Sequence, residues 1–153
     1  MTRNDYAMTD KRIVVGVDGS PSSIDALRWA ARVGGALGIE IAAVTAWDYP
    51  LILSTTGTAG LDWRPDTDAE KALDAAVTSA YGATRPEGLV TLLRRGHPAR
   101  VLLDASDNAE MLVVGSRGHG GFVGLLLGSV SAHCAELATC PVVVLHDKMS
   151  DAA

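Results

Sequence analysis

Cysteine is scarce in this 153-residue chain: Cys134 and Cys140 are the only two. They are too few for a disulfide framework and lack the paired spacing of a zinc site, which fits a reducing, cytoplasmic setting. Aromatic residues make up 5% of the sequence, with one phenylalanine, so the core must be built from alanine, valine, leucine and isoleucine. No run approaches the roughly 18 apolar residues of a membrane-spanning helix, and the first twelve residues hold no apolar segment ahead of a small-residue cleavage site. Basic charge is also short. Thirteen Lys and Arg face eighteen Asp and Glu, a net charge of −5, where a nucleic-acid-binding domain would carry a basic face. The expected partners therefore include neither nucleic acid nor membrane.

What is present is enough apolar sequence, 48%, to bury about 68–70% of the unfolded surface in one domain. That domain is expected over residues 11–147, with loose tails over 1–10 and 148–153. Residues 13–17, IVVGV, form a short, nearly continuous apolar run of the kind buried on both faces of a parallel sheet. Ser20 then offers a helix cap, Pro21 suits a first turn, and Ile24, Leu27, Ala31 and Gly34 recur at helical spacing until Gly34, Gly35 and Gly38 stop the pattern. A second strand is expected over 39–47. The connection over 48–67 exceeds the usual loop length, which predicts mobility there. Thr67 with Glu70 reads as a capping box opening a helix through Leu73, Ala76 and Val77. Further strands are expected over 89–94, 111–114 and 142–146, with helices beginning near Pro98 and Ser129. Five strands alternating with helices predict a three-layer α/β fold, a doubly wound parallel sheet.

The stretch from Gly115 to Ser131, GSRGHGGFVGLLLGSVS, follows a strand and opens a helix. At such a junction backbone N–H groups can approach an anion, and the helix start adds unpaired donors and a partial positive charge. Glycine removes the Cβ that would block close approach, and Ser129 and Ser131 offer hydroxyls. The plain alternative is a turn that packs its leucines on the core. The position at a strand's carboxyl end, where open α/β sheets bind ligands, favours phosphate. Two familiar phosphate devices are missing. No GxxxxGK[ST] is present, and Lys11, Lys71 and Lys148 all lie outside glycine loops. After the first strand, Gly16-Val17-Asp18-Gly19 has no third glycine in register for a dinucleotide fingerprint.

Gly115-x2-Gly118-x9-Gly128-Ser129, with residues 13–20 (IVVGVDGS), 127–131 (LGSVS) and 140–145 (CPVVVL), resembles the universal stress protein family over nearly the whole chain. The resemblance implies a Rossmann-like, adenine nucleotide alpha hydrolase-like sheet of order 3-2-1-4-5, and membership in the branch that holds ATP. It further implies that Gly16, Val17 and Asp18 line the adenosine side and that Ala46 offers backbone groups to adenine. The phosphates would lie between Gly115, Ser116, Arg117, Gly118, Gly120 and Gly121 on one side and Gly128, Ser129, Val130 and Ser131 on the other. Mg²⁺ would arrive with ATP, and a homodimer would form through the strand near Val142–Leu145.

For Asp18 the nucleotide role stands ahead of the alternative, accepting hydrogen bonds within its own turn; Arg117 and His119 could simply be solvated; and the three tryptophans read as packing residues, Trp47 being the one that could approach adenine. His97 reads as a helix start; His133 and His146 lack a paired nucleophile. Both cysteines read as small buried apolar residues. No catalytic constellation is legible. The expected function is a nucleotide-dependent regulatory or signalling module with at most slow ATP hydrolysis. The alternatives are an AMP or cyclic AMP sensor, a nucleotidyl or phosphoryl transferase, for which the paired HxGH histidines are missing at His119, and an interaction protein with an empty glycine loop.

Overall fold

A computed structural model of the chain describes residues 11–49, 63–117 and 127–146. The elements alternate as β1 (Ile13–Gly16), α1 (Pro21–Leu37), β2 (Ile41–Trp47), α2 (Pro65–Tyr81), β3 (Val90–Arg95), α3 (Pro98–Ser106), β4 (Met111–Gly115), α4 (Ser129–Leu137) and β5 (Val142–Leu145). All strand pairs are parallel, in the order β3-β2-β1-β4-β5. The expected doubly wound sheet is therefore present, and the chain reverses its direction of winding between β1 and β4, the neighbours at the centre.

Strand periodicity divides the core into two layers. Ile13, Val15, Ile41, Ala43 and Val113 pack with Ala26, Leu27 and Ala30 of α1 and Leu73, Ala76 and Val77 of α2. Val14, Ala42, Val44, Leu112 and Val114 point the other way, against Val101, Leu102 and Ala105 of α3 and Cys134 of α4. Because both faces are covered, the central strands read as continuous apolar runs instead of alternating ones. At roughly 25 cal/mol per Å² of apolar surface removed from water, these two layers are the main drive for folding. Gly16 has to be glycine on packing grounds alone: a methyl there would meet Leu102 at 2.7 Å and Val114 at 3.3 Å.

Two helix ends and one buried stripe show how local features set the details. Of the three glycines expected to stop α1, Gly38 does so: the helix runs through Gly34 and Gly35 to Leu37 and is capped by Gly38 in the left-handed region (φ 69°, ψ 32°), whose N–H bonds back to Gly34 O. Gly34 also accepts Ile39 N at 2.9 Å, and a Cβ on it would stand 2.6 Å from Ile39 O, so the chain's return to the sheet needs a bare backbone there. Helix α2 begins at Pro65, ahead of the expected Thr67–Glu70 box. Its cap position is Arg64, which makes no side-chain cap bond. Pro65 supplies the helical φ and needs no donor, and Asp66 and Asp68 place acid in the first turn, where the helix dipole favours it. On α1 the buried stripe is Ala26, Leu27, Ala30 and Gly34, with Ile24 and Ala31 only half-buried.

Candidate functional site

At the carboxyl ends of β1 and β4 the sheet opens into a crevice of about 760 Å³. The turn after β1 forms its first wall. Asp18 Oδ1 accepts Ser20 N at 2.9 Å, so the turn role expected as the alternative for Asp18 is filled by one of its oxygens, while the residue stays exposed at the lip. Ser20 is the N-cap of α1 and takes Ser23 N at 3.3 Å. Thr45, buried on β2, donates its hydroxyl to Val17 O at 2.8 Å and so ties the ends of β1 and β2 together.

The second wall is the exit of β4 and the entry of α4. Ser116 N donates to Leu145 O at 2.7 Å, and Ser116 O accepts Gly128 N at 2.6 Å. The two ends of the glycine-rich stretch therefore touch, and Ser131 Oγ joins them by donating to Ser116 O and Gly128 O at 3.1 Å each. Gly128 is the N-cap of α4 and offers no side-chain acceptor to the first turn, in contrast to the serine-capped α1. That uncapped turn lines the crevice.

Ten of the residues singled out from sequence line this one space: Gly16, Val17, Asp18, Ala46, Gly115, Arg117, Gly128, Ser129, Val130 and Ser131. Ser116 does not; it is buried behind the wall with its backbone bonded to β5 and α4. Gly118, Gly120, Gly121 and His119 lie outside the described residues, as does most of the 48–67 connection. Gly128 has φ −70°, so its place in the motif does not come from left-handed backbone. Gly115 is needed for a different reason, because a Cβ would collide with the Ser22 side chain. Asp18 and Arg117 are the charged side chains of the lining among the described residues.

Several lining residues carry no sequence signal of their own. Ala69, Ala72 and Leu73 of α2 and Pro98 and Leu102 of α3 complete an apolar flank, legible only as helix positions. Trp47, which sequence placed near adenine, is not in the lining. Its ring instead meets Tyr49 edge-on with centroids 5.8 Å apart, and Arg95 stands 5.7 Å over it. Arg95 also hydrogen-bonds Asp48 at 3.0 Å, which holds that carboxyl below its ordinary range. His97 caps α3 by accepting Ala99 N at 3.3 Å. Burial pushes the Cys134 thiol up to about 11 and raises that of Cys140. Burial thus disfavours the thiolate form at both positions.

A parallel sheet wound in two directions, with a crevice where the winding reverses and two helix starts at its rim, defines a Rossmann-like α/β protein, an architecture whose ligands bind at that switch point. The model of the universal stress protein family matches residues 10–146, and the chain belongs to that family. A universal stress protein of Mycolicibacterium smegmatis is 34% identical over 152 residues, covering 95% of this chain and 49% of its own length. The chain spans about half the length of the curated relatives it matches. Among solved structures, a universal stress protein from Lactobacillus plantarum has a TM-score of 0.71 at 20% identity, covering 88% of this chain and 97% of its own. A universal stress protein in complex with cAMP has a TM-score of 0.58 at 28% identity, covering 90% and 98%.

Proposed function

We propose that the chain is an adenine-nucleotide-binding protein, with ATP the preferred guest, acting as a nucleotide-dependent regulatory module in the stress response. The observation that carries this reading is the uncapped start of α4 in the wall of the crevice. Amides of Ser129 and Val130 at such a helix start suit an anion, each contributing about 0.3–1 kcal/mol when exposed and up to about 2 when partly buried. Arg117 adds a permanently charged fork for a phosphate oxygen. On the other wall Gly16, Val17 and Ala46 suit the adenosine end, and Asp18 suits a sugar hydroxyl, since a carboxylate only accepts. The apolar flank from α2 and α3 fits the faces of a base. The 28% identical universal stress protein solved in complex with cAMP supports an adenine nucleotide as the class of ligand.

Mg²⁺ fits only as a passenger. Among the described residues no three His, Cys, Asp or Glu side chains cluster to hold a metal, and Asp18 is the single carboxylate in the lining. A cation would ride on the phosphates and water, where it would neutralise their charge. Among the described residues the crevice also lacks a histidine or a second carboxylate to act as a proton acceptor, so hydrolysis in this reading is slow. The proposed setting is the cytoplasm, and the proposed assembly is a homodimer through β5, an edge strand of the sheet.

Equilibrium dialysis of the purified chain against ATP, AMP and cAMP tests the proposal. ATP is expected to bind tightest, with AMP and cAMP weaker. Absence of binding by all three at about 1 mM ligand, where only interactions weaker than about 4 kcal/mol escape notice, overturns it.

A further inference from the structure

Ser22 is completely buried in the first turn of α1, a position from which a serine hydroxyl ordinarily serves its own helix. Here the helix already has its cap in Ser20. The Ser22 hydroxyl instead reaches 95 residues along the chain and donates to Arg117 O at 2.8 Å. The carbonyl just before it, Ser116 O, is held by Gly128 N at 2.6 Å and Ser131 Oγ at 3.1 Å. Two successive carbonyls at the exit of β4 are thus gripped by the two helices whose first turns rim the crevice, one by α1 and the other by α4.

The grip has a directional consequence. A trans peptide sets its C=O and N–H on opposite sides, and the chain has no cis bond among the described residues. Holding Ser116 O against α4 turns the Arg117 N–H the other way, and the Ser22 hydroxyl holds Arg117 O toward α1. The fit between β4 and α1 leaves no slack. A methyl on Gly115 would stand 2.8 Å from Ser22 Cβ and 2.9 Å from its carbonyl carbon.

We propose that Ser22 is a positioning residue for the phosphate end of the crevice, orienting the main chain that leaves β4 without touching the ligand. The inference rests on the nucleotide-binding reading above. It predicts an effect confined to phosphate recognition, because the adenosine wall, built on β1 and β2, does not hang on this bond.

Isothermal titration of the full chain with ATP and with adenosine tests it, comparing wild type with Ser22→Ala. The variant is expected to bind ATP about fivefold more weakly, one buried hydroxyl bond's worth, and adenosine unchanged. Unchanged ATP affinity, or an equal loss for both ligands, overturns the positioning role. If Ser22→Ala does not fold, Ser22→Cys, close to serine in shape but with a far weaker donor, takes its place: a loss of ATP affinity with adenosine unchanged is expected, and an equal loss for both ligands or none for ATP overturns the role. A wild-type chain that binds neither ligand brings down the nucleotide reading itself, an outcome distinct from binding that Ser22 does not influence.

Discussion

Gly128 N meets Ser116 O at 2.6 Å, so the residue that opens α4 is bonded to the residue that leaves β4. This one contact brings the two ends of the glycine-rich stretch into a single wall and sets the first turn of α4 at the rim of the crevice.

A substitution at Gly128 separates fold from ligand. Its φ of −70° and ψ of 168° are open to any residue, and its N–H survives in Gly128→Ala. Alanine is a poorer N-cap than glycine, so the variant is expected to lose about 1 kcal/mol or less in denaturant melts. In the proposed reading phosphate approaches the α4 amides past Gly128, so a side chain added at this lining position is expected to lower ATP affinity by more than about tenfold, or more than about 1.4 kcal/mol. Equal ATP affinity in the two proteins would mean that the phosphates lie elsewhere.

Tyr81 ties α2 to α1 through its hydroxyl, which donates to Leu27 O at 2.5 Å. Burial raises this phenol from 10.0 to about 12. A raised acid favours the neutral form in the folded chain, so its contribution is fully present below pH 10 and lost as pH climbs toward 12. Tyr81→Phe is expected to cost about 1 kcal/mol at neutral pH. It should also flatten the alkaline decline of the melting temperature between pH 10 and 12. A wild-type slope retained in the variant would assign that decline to other groups.

Strand β5 bonds to β4 on one side only and is an edge of the sheet. Its four residues are all apolar and half-buried, a combination that invites pairing with another strand. Light scattering at micromolar protein is expected to return twice the 15.9 kDa chain mass. Val143→Lys, which sets a like charge in each copy's edge, should return the single-chain value. A wild-type reading of one chain would remove the homodimer.

Much of this molecule is legible in its sequence. The apolar run at Ile13 announces a strand buried on both faces, the run at Met111 a further strand, and Ser20-Pro21 a capped helix, because these signals are local and chemical. The start of α2 was misplaced because Thr67 and Glu70 satisfy the capping-box spacing, yet Pro65 supplies a helical φ two residues earlier. The crevice could be foreseen where glycines follow strands. Its apolar flank could not, since Ala72 looks like any exposed helix position and Ala69 like one more core-facing alanine until the sheet order sets α2 against β2. Ser22 was invisible for the same reason. A bond spanning 95 residues leaves no periodic trace, and Ser131, expected to offer its proton to a ligand, donates it to two carbonyls instead.

The most direct test is a crystal structure of the chain grown with saturating ATP. The expected result places phosphate oxygens about 3 Å from the amides of Ser129 and Val130, with the adenine ring beside Ala46. Nucleotide bound at another surface, or a crevice left blank at that concentration, would contradict it.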